Sequence, residues 1–75
     1  MNKLKSGIEY HKLFRQITKC AHDVFFETPD GDRINLKSLF SRFVFIALAA
    51  NKDNLKNGIL LFAQEDLPLL RDYVE

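Results

Sequence analysis

The side chains able to do covalent or proton-transfer chemistry are few and lie far apart. His11 and His22 fall at opposite ends of the first amphipathic stretch. A catalytic or ligating imidazole needs a carboxylate, a cysteine or a second imidazole converging on it. His11 lands on the polar side of that stretch and His22 follows its end beside Asp23, so both read as surface or capping histidines. Cys20 neighbours Lys19 but sits where a helix would end, and the negative end of a helix raises a thiol's pKa instead of activating it. It reads as a small core residue. Gly7, Gly31 and Gly58 are isolated, each with a turn or a boundary to explain it, so none forms a phosphate-cradling loop. Glu65 and Asp66 are adjacent and read as a helix start. The expectation is a non-enzymatic protein with no metal and no cofactor.

Ser38 is the polar residue that stands out. It falls in the first turn of the second helical stretch, beside Lys37, where unpaired backbone N–H groups and the positive helix end would stabilise an added phosphate. The plainer reading is a serine that assists the helix cap. Around it lie Leu39, Phe40, Phe43 and Phe45, an unusual density of large apolar side chains.

The elements that must position these residues can be taken in order. Met1 to Lys5 reads as a frayed or loosely docked tail. Ser6-Gly7-Ile8-Glu9 has the form of a capping box, and Tyr10, Leu13, Phe14, Ile17 and Cys20 or Ala21 then draw one apolar stripe, so the spacing predicts a helix from about Gly7 to Ala21. Val24 to Thr28 is β-branched and aromatic, and Pro29-Asp30-Gly31 is a strong turn signal. Asp32-Arg33-Ile34 returns as a short antiparallel strand, placed at the sheet edge by its charges.

Asn35 can cap the next helix, Leu36 to about Ala50, with Leu36, Leu39, Phe40, Phe43 and Ala47 as its first stripe. From Phe43 onward that helix is apolar on every side, so one side of Phe43-Val44-Phe45-Ile46 must meet another chain, a partner or the last helix. Asn51 to Gly58 is a polar loop. Ile59 to Ala63 has strand length, although periodicity alone also allows a buried helical turn. Asp66 caps the last helix, Pro68 suits its first turn, and Leu67, Leu70 and Tyr73 or Val74 form its apolar face. The reading is an α+β fold of order α-β-β-α-β-α, a small antiparallel-type sheet with helices on one face, in one domain spanning residues 1–75.

Composition narrows the function classes. A 75-residue chain buries only about 60% of its unfolded surface, and its one cysteine rules out an internal disulfide staple, so stability must come from packing or self-association. Absence of disulfides suits a reducing cytoplasm. Net charge is +1, with 11 basic and 10 acidic side chains, which gives little reason to expect nucleic acid as a partner. The longest apolar run, Phe43 to Ala50, is far short of the roughly 20 residues that span a bilayer, and the start of the chain has no signal-peptide pattern. The expected partner is another protein, with a homodimer as one form of it.

At Ile34-Asn35-Leu36-Lys37-Ser38-Leu39, following a strand and the Pro-Asp-Gly turn, the chain resembles the HPr phosphocarrier family of the bacterial sugar phosphotransferase system, which carries a near-identical run entering its second helix. The order of elements is similar from Tyr10 to Glu75. The resemblance implies that Ser38 matches a regulatory serine and that Leu39, Phe40 and Phe43 correspond to an apolar partner-contact patch; Lys37 and Phe45 are expected on the same partner-binding surface. The chain departs from the family at the phosphorylated histidine: Glu9 stands in its place, without the accompanying arginine and proline, and too few residues precede it for the usual first strand. The implied reading is an HPr-like module without catalysis, binding a protein through the start of its second helix. Two alternatives stay open: a phosphocarrier that uses His11, and a small all-helical regulator in which Asn54 to Ala63 is helix.

Overall fold

A computed structural model describes residues 2–75. The elements are α1 (Tyr10–Lys19), β1 (Phe25–Glu27), β2 (Arg33–Asn35), α2 (Leu39–Ala49), β3 (Ile59–Leu61) and α3 (Leu67–Leu70), with 3₁₀ turns at Lys52–Leu55, Gln64–Asp66 and Arg71–Tyr73. The order α-β-β-α-β-α is the expected one. Ile59–Leu61 is a strand, which removes the all-helical alternative.

The strands form an antiparallel sheet in the order β2-β1-β3, so β2 is at the edge as its charges suggest. Phe26 stands opposite Ile34 on one side and Leu60 on the other. These three share a face, and Phe26 and Leu60 are fully buried beneath the helices. The β1–β2 turn follows its composition: the Gly31 N–H donates to the Thr28 carbonyl at 2.9 Å, and Gly31 takes the positive φ of +93°. Opposite charges close the same hairpin, with Arg33 Nε 2.8 Å from Glu27 Oε2 across the ladder.

The N-terminal segment is a correction. Residues 2–5 are not a loose tail; Met1, the other residue of that expectation, lies outside the described residues. The Leu60 N–H donates to the Asn2 carbonyl at 2.8 Å and the Leu4 N–H to Gly58 at 3.2 Å, so the segment runs antiparallel to β3. On its other side it meets the end of the chain: the Lys5 N–H reaches Tyr73 at 2.9 Å and the Glu75 N–H reaches Lys3 at 2.8 Å. Leu4 is buried in the core. Only a short, part-polar stretch is involved, and its order comes from two backbone partners that are distant in sequence.

That docking also moves the start of α1. The chain must leave the ladder at Lys5 and reverse at Gly7, whose φ is +76°. Ser6 is therefore not at the helix start, and the expected capping box does not form. Glu9 is the N-cap residue without a side-chain cap; its carboxylate pairs instead with Lys12 at 2.7 Å. The stripe itself holds, with Leu13, Ile17 and Cys20 buried and Tyr10 and Phe14 against the core.

Asp66 is a second correction. It precedes α3, but its side chain makes no cap bond there. It is 3% exposed and accepts the N–H groups of Ala21 at 2.9 Å and His22 at 3.1 Å. The carboxylate thus binds the chain just after α1 and ties α1 to α3.

Candidate functional site

The second helix starts later than its pattern suggests. Asn35 Oδ1 accepts from the Lys37 N–H at 3.0 Å and its carbonyl from the Ser38 N–H at 3.1 Å, which makes an Asx turn instead of the cap. Ser38 is the N-cap residue, in extended conformation, and its hydroxyl accepts from the Ser41 N–H at 3.4 Å. It is half-exposed at the rim of the helix.

The helix faces the core with a different side from the one the stripe Leu36, Leu39, Phe40, Phe43 and Ala47 indicates. Phe45 is 0% exposed and sits edge-on against Tyr10, Phe14 and Phe26, with ring centroids at 5.5, 5.8 and 5.2 Å. The expectation that Phe45 contacts a partner is therefore corrected: its ring is the centre of the core. Leu39, Phe40 and Phe43 are 70%, 76% and 75% exposed, and Val44 and Ile46 are exposed as well.

The physical reason is that α2 carries only two polar side chains, Ser41 and Arg42, and Arg42 reaches toward α1. Arg42 Nε donates to the Leu36 carbonyl at 2.6 Å, its Nη2 donates to Thr18 Oγ1 at 3.1 Å, and the guanidinium lies 5.3 Å from the Phe14 ring centroid. Lys37 adds a bond from Nζ to the Cys20 carbonyl at 2.6 Å. These bonds satisfy carbonyls at the end of α1 and before α2, and they fix the rotation of α2 about its axis. Lys37, expected at the partner surface, has its ammonium turned toward α1.

What remains outward is an uncharged face. At 3.6 residues per turn, positions 39, 40, 43, 44, 46 and 47 fall within an arc of about 160°. Exposed apolar faces of this kind mark interaction surfaces. Ser38 stands at the N-terminal edge of that face.

The other candidates do not converge. His11 is exposed on α1; His22 lies 3.5 Å from Glu65 at the surface. Cys20 is buried, and its thiol is pushed above its usual range by burial first and by the Asp66 charge second, with Lys37 opposing. Among the described residues no group of acids, histidines and cysteines has metal-binding geometry. No helix of the described residues is long and apolar enough to cross a membrane.

Comparison with protein-family models, curated proteins and solved structures finds no match.

The sequence had pointed to Leu39, Phe40 and Phe43 as contacts but also as core. The signal that separates the two roles is the position of Arg42: a residue whose guanidinium bonds the Leu36 carbonyl and the Thr18 hydroxyl turns its own side of the helix inward.

Proposed function

We propose that this chain is a non-enzymatic protein-interaction module that binds through the outer face of α2. The observation that carries it is the exposure of Leu39, Phe40 and Phe43 side by side on a well-anchored helix. The first occupant we infer is a second copy of the chain. The face bears no charge, so two copies meet without like-charge repulsion. Three large apolar side chains from each copy contribute roughly 1.5–3 kcal/mol apiece on burial. Their gross total of about 9–18 kcal/mol is comparable to the roughly 4–15 kcal/mol cost of association, which points to a reversible dimer and not an obligate one.

The resemblance to HPr enters here as part of the proposal. It is supported by the order of the elements. In this reading Ser38 is a modification site. A phosphate there would keep the Ser41 N–H as a partner and gain from the positive helix end, while placing about two negative charges at the edge of an apolar contact face. Modification would therefore weaken the apolar association. No observation favours the phosphocarrier alternative at His11.

Sedimentation equilibrium tests the reading. The expected result is a concentration-dependent dimer in the micromolar range, with Phe43→Asp monomeric and Ser38→Asp at least several-fold weaker. A wild-type monomer at high micromolar concentration sinks the dimer and leaves the face to a different protein.

A further inference from the structure

A second concavity lies away from the outer face of α2. It has a volume of about 450 Å³ and is bounded by residues 3–8, the end of α2 and the loop 52–57. Lys3, Lys5, Lys52 and Lys56 line it, against a single side-chain carboxylate, Glu75. None of these four lysines is in an ion pair among the described residues. Leu4, Ile8, Tyr10 and Leu55 supply apolar wall beside the polar Ser6 and Asn57, and Leu4 is buried.

We infer that this cavity binds a small amphiphilic anion, with a carboxylate or phosphate head among the lysines and a short apolar body against Leu4, Ile8 and Leu55. Two observations independent of each other lead there. The volume falls in the range of small-molecule sites, about 300–1,000 Å³, and the walls are apolar enough to hold a hydrocarbon body. The charge is locally one-sided in a chain whose net charge is only +1, so nearly balanced elsewhere. Four lysines against one side-chain carboxylate leave an excess of positive charge in this lining, and an anion placed there balances it while gaining charge-assisted hydrogen bonds. A cation is excluded by the same charges. An extended nucleic acid would need a basic stripe, and the lysines are gathered around one concavity instead. The cavity is built by the docking of residues 2–5, which brings Lys3 and Lys5 to the same concavity as Lys52 and Lys56, distant in sequence.

Octanoate is the probe, followed by ¹⁵N–¹H spectra of the full chain, with 1-octanol and inorganic phosphate as separate arms. The expected result is saturable shifts at 4–8 and 52–57, with octanoate bound at least tenfold more tightly than either octanol or phosphate. The double variant Lys52→Glu/Lys56→Glu, at exposed positions, should weaken octanoate at least tenfold while the remaining spectrum stays folded. Equal response to octanol, equal response to phosphate, shifts confined to 39–46, or an unaffected double variant would each overturn the inference. So would association with phosphatidylglycerol vesicles in the absence of any octanoate shift, which would identify a membrane surface in place of a free ligand.

Discussion

Asp66 shows how much one buried carboxylate can organise. Its two oxygens each take a backbone N–H from the segment that leaves α1, at Ala21 and His22. Removing the acceptor strands two amides at a part-buried site, and each such loss costs on the order of 1–3 kcal/mol. Asp66→Ala should therefore lower stability by about 2–6 kcal/mol in urea unfolding, with the loss of order centred on the α1–α3 contact. A change under about 0.5 kcal/mol, the range of ordinary surface substitutions, would show that water replaces the carboxylate. Cys20 lies in the same neighbourhood, and its raised pKa has a definite sign. Burial and the Asp66 charge hold the thiol protonated in the folded state, whereas the unfolded thiol ionises near its ordinary value. The contribution is fully present below that ordinary value and is lost as pH rises through the folded one. Cys20 should react with a disulfide reagent at neutral pH only at the rate of global or local opening, and stability should fall on the alkaline side. Rapid stoichiometric labelling of the native protein at pH 7 would contradict this.

At the scale of the element, α2 divides its phenylalanines between two jobs. Phe45 touches three aromatic rings, and truncating a buried phenylalanine costs roughly 3–5 kcal/mol. Phe43 is 75% exposed and touches solvent. Thermal unfolding at low concentration should show Phe45→Ala strongly destabilised, since a loss of roughly 3–5 kcal/mol is a large share of the about 5–15 kcal/mol total stability of a small domain. Phe43→Ala should stay within about 0.5 kcal/mol of wild type under the same conditions. Equal effects of the two would mean that the helix is rotated from the orientation that Arg42 and Lys37 impose. The contrast also separates folding from association, because only Phe43 should change the concentration dependence.

At the scale of the molecule, the two ends of the chain close the structure. Residues 2–5 lie between β3 and residues 73–75, so a sheet of three short strands gains backbone partners on its β3 edge. Without them β3 would present unpaired N–H and C=O groups, a template for edge-to-edge aggregation. The amides of Leu4, Lys5 and Glu75 should accordingly exchange with solvent as slowly as those of the sheet, in native-state hydrogen exchange read by NMR. Exchange at the rate of an unstructured peptide would sink the docked arrangement and, with it, the wall of the lysine-rimmed cavity.

Local pattern alone determined the element order, the hairpin turn at Pro29-Asp30-Gly31, the edge position of β2 and the buried stripe of α1. Each of these depends on neighbours within a few residues: the proline and glycine dihedrals, the charges of Asp32 and Arg33, and the 3.6-residue period of Tyr10 to Cys20. The surplus of apolar surface on α2 was legible for the same reason. Tertiary structure decided which side of α2 is surplus, because a helix apolar all round carries no period to choose a face. The choice rests on Arg42 and Lys37 reaching carbonyls of Leu36 and Cys20, and on the ring cluster around Phe45. Tertiary structure likewise decided the fate of residues 2–5, whose partners lie more than fifty residues away in sequence, and the turning of Asp66 from its own helix to the end of α1. Those interactions join groups that no local window contains.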